Sequence, residues 1–271
     1  MGYDITYHPI KLEQMEEWYF SRLDEMKQGD YSKTWEMAQK ANMHEFYIDK
    51  YLDVMKEAVN IEPDLTFEIT HGFNIAVVQG FFLPHYYVRG TAFSFLIEEH
   101  PQMAKYITSW QDIIPQWIKN PIAGGIVENY CGGVFISPEQ VHKLLSDYEK
   151  DIQIKNLIDN FFGEYLPVFI KALNYSLENG LGLLEATDVV VPNVIDLNKT
   201  ESYSNLFNCD PEGALIYREI AMEQIAQALK ESGDNRDVNE ALKDMAFMIS
   251  ERDEDGNVED YRIYEHPEKD S

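Results

Sequence analysis

Residues 71–95 read HGFNIAVVQGFFLPHYYVRGTAFSF, and Arg89 is the one formally charged side chain among them. The run from Phe73 to Leu83 is almost entirely apolar, and Pro84 ends it. It is much shorter than the roughly 20 residues that a helix needs to cross a bilayer. The segment therefore predicts a buried helix or strand at the centre of the core, and the chain is not expected to enter a membrane.

The break between Pro84 and Gly90 predicts the lip of a pocket. Three explanations of Arg89 stay open: an ion pair with Glu98, Glu99 or a more distant acid, exposure on a loop, or a bidentate grip on an anionic ligand. The ion pair is the default for a cation beside a core. If the third explanation holds, the ligand-binding residues are Arg89, His71, His85, Tyr86 and Tyr87.

Most of the chain has the periodicity of amphipathic helices. The clearest local signal is a capping box, in which Ser137 precedes a proline and Gln140 follows three residues after the serine. Alternating side chains over residues 3–8 predict a strand that Pro9 ends, and Val189–Val191 indicate another. The elements do not alternate as βαβ units should. The expected fold is therefore helix-rich α+β, with several amphipathic helices packed with a few short strands.

Length and patterning predict one helix-rich globular domain over residues 1–233, followed by an acidic C-terminal segment over residues 234–271. Residues 248–264 of that segment predict a hairpin around Asp255-Gly256, packed on the domain.

The two cysteines are too few for a disulfide framework, so a reducing compartment and a cytoplasmic location are expected.

Charge is the most distinctive property of the sequence. Its 48 acidic and 22 basic residues give a net charge of −26. Such a field repels nucleic acid and anionic lipid, and it favours a basic protein or peptide as partner. The excess is sharpest over residues 201–271, with 19 acids and 7 bases, although a merely solvated chain end would look the same. The predicted partner-binding surface comprises Glu251, Asp253, Glu254, Asp255, Glu259 and Asp260.

Motifs of catalysis and cofactor binding are missing from the sequence. It contains no GxSxG, HExxH, CxxC, P-loop or dinucleotide signature, so no catalytic residue and no cofactor is predicted. The acidic run from Glu251 imitates a calcium loop, but Arg262 stands where that loop needs a bidentate Glu, so no metal is expected. Cys131, before Gly132-Gly133, is only a weak candidate nucleophile, because small buried cysteines beside turns are far commoner.

These observations favour an acidic, soluble protein-interaction module over an enzyme. The particular class expected is an immunity-type or inhibitor protein that neutralises a basic partner such as a toxin. The alternative is a small-ligand-binding protein or hydrolase-like enzyme with a pocket near residues 71–95. A scaffold or regulatory subunit without chemistry is a third class that the sequence leaves open.

Overall fold

The computed structural model describes residues 3–127, 131–234, 236–244, 247–252 and 258–264. The strands are β1 Asp4–Ile10, β2 His85–Arg89, β3 Gly132–Ile136, β4 Gly182–Thr187, β5 Val190–Val191, β6 Glu201–Ser202, β7 Cys209–Asp210, β8 Phe247–Arg252 and β9 Val258–Tyr264. The α-helices are α1 Leu12–Met15, α2 Ser21–Lys27, α3 Ser32–Lys40, α4 Glu45–Val59, α5 Phe73–Phe82, α6 Phe93–Glu99, α7 Pro138–Lys150, α8 Ile152–Phe162, α9 Leu166–Glu178, α10 Glu212–Ser232 and α11 Val238–Asp244. The π-helical turns are Glu16–Phe20 and Glu68–Gly72, and the 3-10 helices are Pro101–Tyr106, Trp110–Asp112, Gly163–Tyr165, Leu197–Lys199 and Leu206–Asn208.

The main sheet contains, within the described ranges, five strands in the order β3-β4-β1-β2-β7. Neighbouring strands are antiparallel except β2 and β7, which are parallel. Successive residues of a strand point to opposite faces. Tyr7 of β1 packs against Phe169 of α9, whereas His8 is hydrogen-bonded to Gln79 of α5. Helices α9 and α5 therefore cover opposite faces, and the predicted helix-rich α+β fold is confirmed.

Strand β1 is longer than the sequence predicts. It continues through Pro9 to Ile10, and these two residues pair with Leu183 and Gly182 of β4. Proline lacks an amide hydrogen but keeps its carbonyl, and Pro9 O accepts a hydrogen bond from Gln79 Nε2 at 2.9 Å. The prediction that Pro9 ends the strand is therefore wrong.

The segment of residues 71–95 supplies the buried helix α5 and the strand β2 of the main sheet. Residues from Ile75 to Phe81 of α5 are buried, and the stretch from Pro84 to Gly90, which predicted a pocket lip, contains β2.

The predicted capping box is also present, because Ser137 Oγ accepts from Gln140 N while Gln140 Oε1 accepts from Ser137 N. The valine run forms β5, but the longer strand β4 precedes it.

The chain divides into two compact units, residues 1–216 and 217–271. The second unit contains the strands of the predicted hairpin, β8 and β9, which pair antiparallel. The expected turn at Asp255-Gly256 lies outside the described residues. The predicted bounds of a single domain over residues 1–233 stay a prediction.

In the described part of the chain, no helix has the length and apolar character needed to cross a membrane.

A buried polar cluster joins β1, β2 and α5. His8 Nδ1 lies 2.7 Å from Gln79 Oε1, and His8 Nε2 lies 2.8 Å from Thr6 Oγ1. The ring of His85 stacks on that of His8 at a centroid distance of 5.1 Å. Neither ring nitrogen of His85 makes a hydrogen bond of good geometry within the described residues. Burial lowers the pKa of His85 to about 4, so an uncharged and poorly satisfied imidazole is held in the core.

We expect His85→Phe to stabilise the protein, because it keeps a stacked ring and removes a buried polar group that costs about 1–3 kcal/mol when unsatisfied. It should also flatten the pH dependence of stability between about pH 4 and 6.5. Over that range the unfolded chain binds a proton at His85 and the folded chain does not, so His85 contributes a loss of up to about 1.4 kcal/mol per pH unit as pH falls, in addition to the losses from the buried His8 and His71.

Urea unfolding at pH 7 and pH 5 measures both effects. The control is His142→Phe, which removes an exposed imidazole from α7. Equal slopes of unfolding free energy against pH in the parent and in His85→Phe would contradict the assignment of His85 as a buried neutral group.

Candidate functional site

An open groove of about 640 Å³ lies at one end of α5. Its walls are the loop and first turn from Ala41 to Tyr47, the end of α5 at Phe81 and Phe82, and the segment Asn205–Asn208. We call this cavity the aromatic groove, because Phe46, Tyr47, Phe81, Phe82 and Phe207 line it. All of these residues belong to the first compact unit.

Two of the groove aromatics are left in solvent. Phe207 is 91% exposed and Phe46 is 55% exposed, whereas Phe81 is buried at 4%. The Tyr47 and Phe81 rings lie 6.2 Å apart and continue into the core through Tyr51. Large exposed aromatic side chains above a packed aromatic floor are typical of anchor residues in protein interfaces.

Local hydrogen bonds hold the walls of the groove. His44 caps α4, since its Nδ1 accepts from Phe46 N at 3.2 Å. Asn208 Nδ2 donates to Gly80 O at 3.0 Å and to Phe81 O, two carbonyls that the end of α5 would leave unpaired. A side chain at Gly80 would collide with Ser204, because a Cβ there would lie 2.5 Å from Ser204 Oγ. The glycine therefore allows the segment that carries Phe207 to lie against α5.

Acidic side chains follow one side of α4 from the edge of the groove. Glu45, Asp49, Asp53 and Glu57 recur every fourth residue, so they lie along one helix face, and all four are exposed. We call these four residues the acidic stripe. Asp53 pairs with Lys56 at 2.8 Å. The stripe begins at the edge of the groove with Glu45 and continues along α4. Because these like charges share one helix face, that face attracts cationic groups.

An ammonium group of the same chain lies over one of the groove aromatics. Lys50 Nζ lies 5.3 Å from the centre of the Phe46 ring and donates to Ser202 O at 3.3 Å. A cation over an aromatic face is a favourable contact. The surface therefore combines aromatic rings and negative charge in the way that recognition of Lys or Arg side chains requires.

The residues predicted to bind a ligand occupy the sheet and the helix before α5. His85, Tyr87 and Arg89 alternate along β2 and share a face, while Tyr86 faces Tyr175 of α9. Arg89 forms an ion pair with Asp4, which also accepts from Tyr87 Oη at 2.6 Å. This pairing matches the explanation of Arg89 as a partner of a distant acid.

His71 lies on a different element, the π-helical turn Glu68–Gly72. Its Nδ1 is 2.7 Å from Tyr19 Oη, and burial lowers its pKa to about 4. The structure thus brings three of the five predicted ligand residues onto one sheet face and places the other two elsewhere. A ligand role for the five stays a prediction.

Cys131 is fully buried, and burial raises its pKa to about 12. A thiol in that state is a poor nucleophile, since the thiolate is the reactive form. Within the part of the chain that the structure describes, no three His, Cys, Asp or Glu side chains are grouped to hold a metal ion.

The predicted acidic surface lies in the second unit. Glu251 is in β8, and Glu259 and Asp260 are in β9. Asp253, Glu254 and Asp255 lie outside the described residues. Residues 217–271 contain 16 acids and 7 bases, a net charge of −9, and residues 1–216 contain 32 acids and 15 bases, a net charge of −17. Negative charge is therefore concentrated in the second unit but not confined to it.

The chain matches no protein-family model, and neither a curated protein nor a solved structure is significantly similar to it.

We expect Phe207→Ala to change the free energy of unfolding by less than about 0.5 kcal/mol, because its side chain is already in water. Phe81→Ala, on the floor of the same groove, should cost about 3–5 kcal/mol because it leaves a buried cavity. Chemical denaturation of the two variants measures the contrast. A loss at Phe207 as large as that at Phe81 would show that Phe207 supports the fold and is not free for a partner.

Proposed function

We propose that this protein is an acidic interaction module that binds a basic protein or peptide through the aromatic groove and the acidic stripe. The observation that carries the proposal is the 91% exposure of Phe207 in a groove whose α4 wall, at Phe46, adjoins the first residue of the acidic stripe. A solvent-exposed phenylalanine is unfavourable in the free protein. Burying it under a partner contributes about 1.5–3 kcal/mol.

The two parts of this surface have different roles in binding. The rings of Phe46 and Phe207 supply apolar area that only a complementary partner can cover, so they favour a long-lived complex. The acidic stripe and the net charge of −26 attract a basic partner from a distance and accelerate association. Affinity and specificity would then depend on the groove, and the association rate on the charge.

The particular class that we propose is an immunity-type or inhibitor protein, which neutralises a basic partner such as a toxin by covering its cationic surface. This is supported by the strongly acidic composition and by the absence of catalytic signatures from the sequence. A high affinity is needed for such a role, and an anchor aromatic flanked by charge is the arrangement that provides it.

The binding surface can be tested by selecting random displayed peptides against the intact chain. The enriched peptides should have net positive charge and at least one aromatic or aliphatic residue. Phe207→Ala should weaken the best of them by about tenfold or more, as expected for an anchor residue. Ile152→Ala, at an apolar residue of α8 that is 66% exposed and outside the groove, is the matched control. Enrichment of neutral or acidic peptides, or equal binding by Phe207→Ala and the parent, would refute the proposal.

A second pair of variants separates the effect of the acidic stripe on the association rate from the effect of the overall charge. One combines Glu45→Gln, Asp49→Asn, Asp53→Asn and Glu57→Gln. Its control removes the same charge at exposed acids elsewhere, through Glu99→Gln, Glu149→Gln, Glu164→Gln and Glu178→Gln. Stopped-flow association of the best peptide at low salt should slow markedly for the stripe variant and only slightly for the control. If both variants slow association equally, the stripe has no special role.

A further inference from the structure

A lysine of this chain lies over a wall residue of the aromatic groove. Lys50 follows Phe46 by one turn of α4, and helix side chains tilt towards the N-terminus, so Lys50 reaches back over the Phe46 ring. Its Nζ lies 5.3 Å from the ring centre and donates to Ser202 O at 3.3 Å. Because Phe46 lines the groove, the ammonium group lies beside the surface proposed to bind a basic partner.

No carboxylate neutralises this ammonium group at short range. Within the described part of the chain, Lys50 forms no ion pair. Asp53 lies about one turn further along α4, but it pairs with Lys56 at 2.8 Å. The contacts that hold Lys50 are therefore the Phe46 ring face and one carbonyl oxygen, and its 3.3 Å distance from that oxygen is longer than the usual range for such a hydrogen bond.

We call the position of Lys50 Nζ, between the Phe46 ring and Ser202 O, the cation subsite. An aromatic face and a carbonyl oxygen accept any ammonium or guanidinium group, whichever chain carries it. Exposed acids strengthen the attraction, because Asp49 of the acidic stripe immediately precedes Lys50. Glu201, also exposed, precedes Ser202. The subsite therefore has the chemistry to bind a cationic side chain of a partner.

A basic partner that covers Phe46 has to share this position with Lys50 or take it. Sharing would bring two like charges together in a covered interface, which is unfavourable. Displacement releases Lys50, which is only partly buried, into water, where an ammonium group is strongly hydrated. The lost contact is weak and the partner's cation replaces it, so displacement has the lower free energy.

We propose that the cation subsite binds a Lys or Arg side chain of the basic partner, and that Lys50 is an internal competitor that this side chain displaces. This inference rests on the proposed function, because it specifies how the same surface recognises its partner. Lys50 lowers the affinity for every cationic group, including those that make no other contact. A partner must then also bury the exposed rings of the groove to bind tightly, so Lys50 raises specificity and lowers affinity.

Calorimetric titration of the tightest selected basic peptide into the intact chain tests the competition. Lys50→Met removes the ammonium group and keeps an unbranched apolar side chain beside Phe46. Its matched control is Lys56→Met, which removes the same charge from α4 at a residue outside the groove. Lys50→Met should bind the peptide about two- to fivefold more tightly than the control, the change expected when one exposed cation–π contact no longer has to be broken. In a Phe46→Leu background, which has no ring, the two lysine variants should bind equally.

Displacement is observed directly in NMR spectra of the intact chain labelled with ¹³C-lysine. In the free protein the Phe46 ring should shift the Lys50 side-chain signals, which are identified by their loss in Lys50→Met. At saturating peptide these signals should move to the position of a lysine in water.

Phe207→Ala separates this inference from the proposed function on which it rests. Suppose that Phe207→Ala weakens peptide binding as expected. If Lys50→Met then binds no more tightly than Lys56→Met, or the Lys50 signals stay shifted at saturation, the inference is overturned and the proposed function stands. If Phe207→Ala binds as tightly as the parent, the proposed function fails and the inference fails with it.

Discussion

The structure depends on the complete burial of strand β1. All seven residues from Asp4 to Ile10 are buried, with neighbouring strands on both edges and helices over both faces. Polar side chains in such a strand must find partners inside the protein, because an unsatisfied polar group is costly there. Asp4 pairs with Arg89, Tyr7 with Glu185, and His8 with Gln79. These pairings specify one register, since a shift by one residue would place every side chain on the wrong face.

The aromatic groove is positioned by a partner of this strand. Gln79 ties α5 to β1 through its bonds to His8 and Pro9, and α5 ends three residues later, at Phe82 in the wall of the aromatic groove. On the opposite face of the sheet, Tyr7 Oη donates to the buried carboxyl of Glu185.

Local signals in the sequence predict much of the fold. The capping box at Ser137 and the helix that begins after His44 depend on residues within one turn, and the apolar run after Phe73 indicates burial directly. The candidate sites depend on contacts between residues far apart in sequence. Phe46 and Phe207 line one groove in a fold where β7, which follows Phe207, pairs with β2, and Phe207 lies in a 3-10 helix of only three residues, too short to show a periodicity in the sequence. Its one sequence signal, a Leu-Phe pair between two asparagines, is compatible with many local structures.

Partner binding is proposed at the aromatic groove and not through diffuse negative charge. Hydrogen–deuterium exchange with and without the tightest selected basic peptide tests this most directly, because protection reports where the backbone is covered or stabilised. We expect slower exchange in residues 41–47 and 205–208, with little change in residues 217–271. Protection confined to residues 217–271, or no localised protection at saturating peptide, would contradict it.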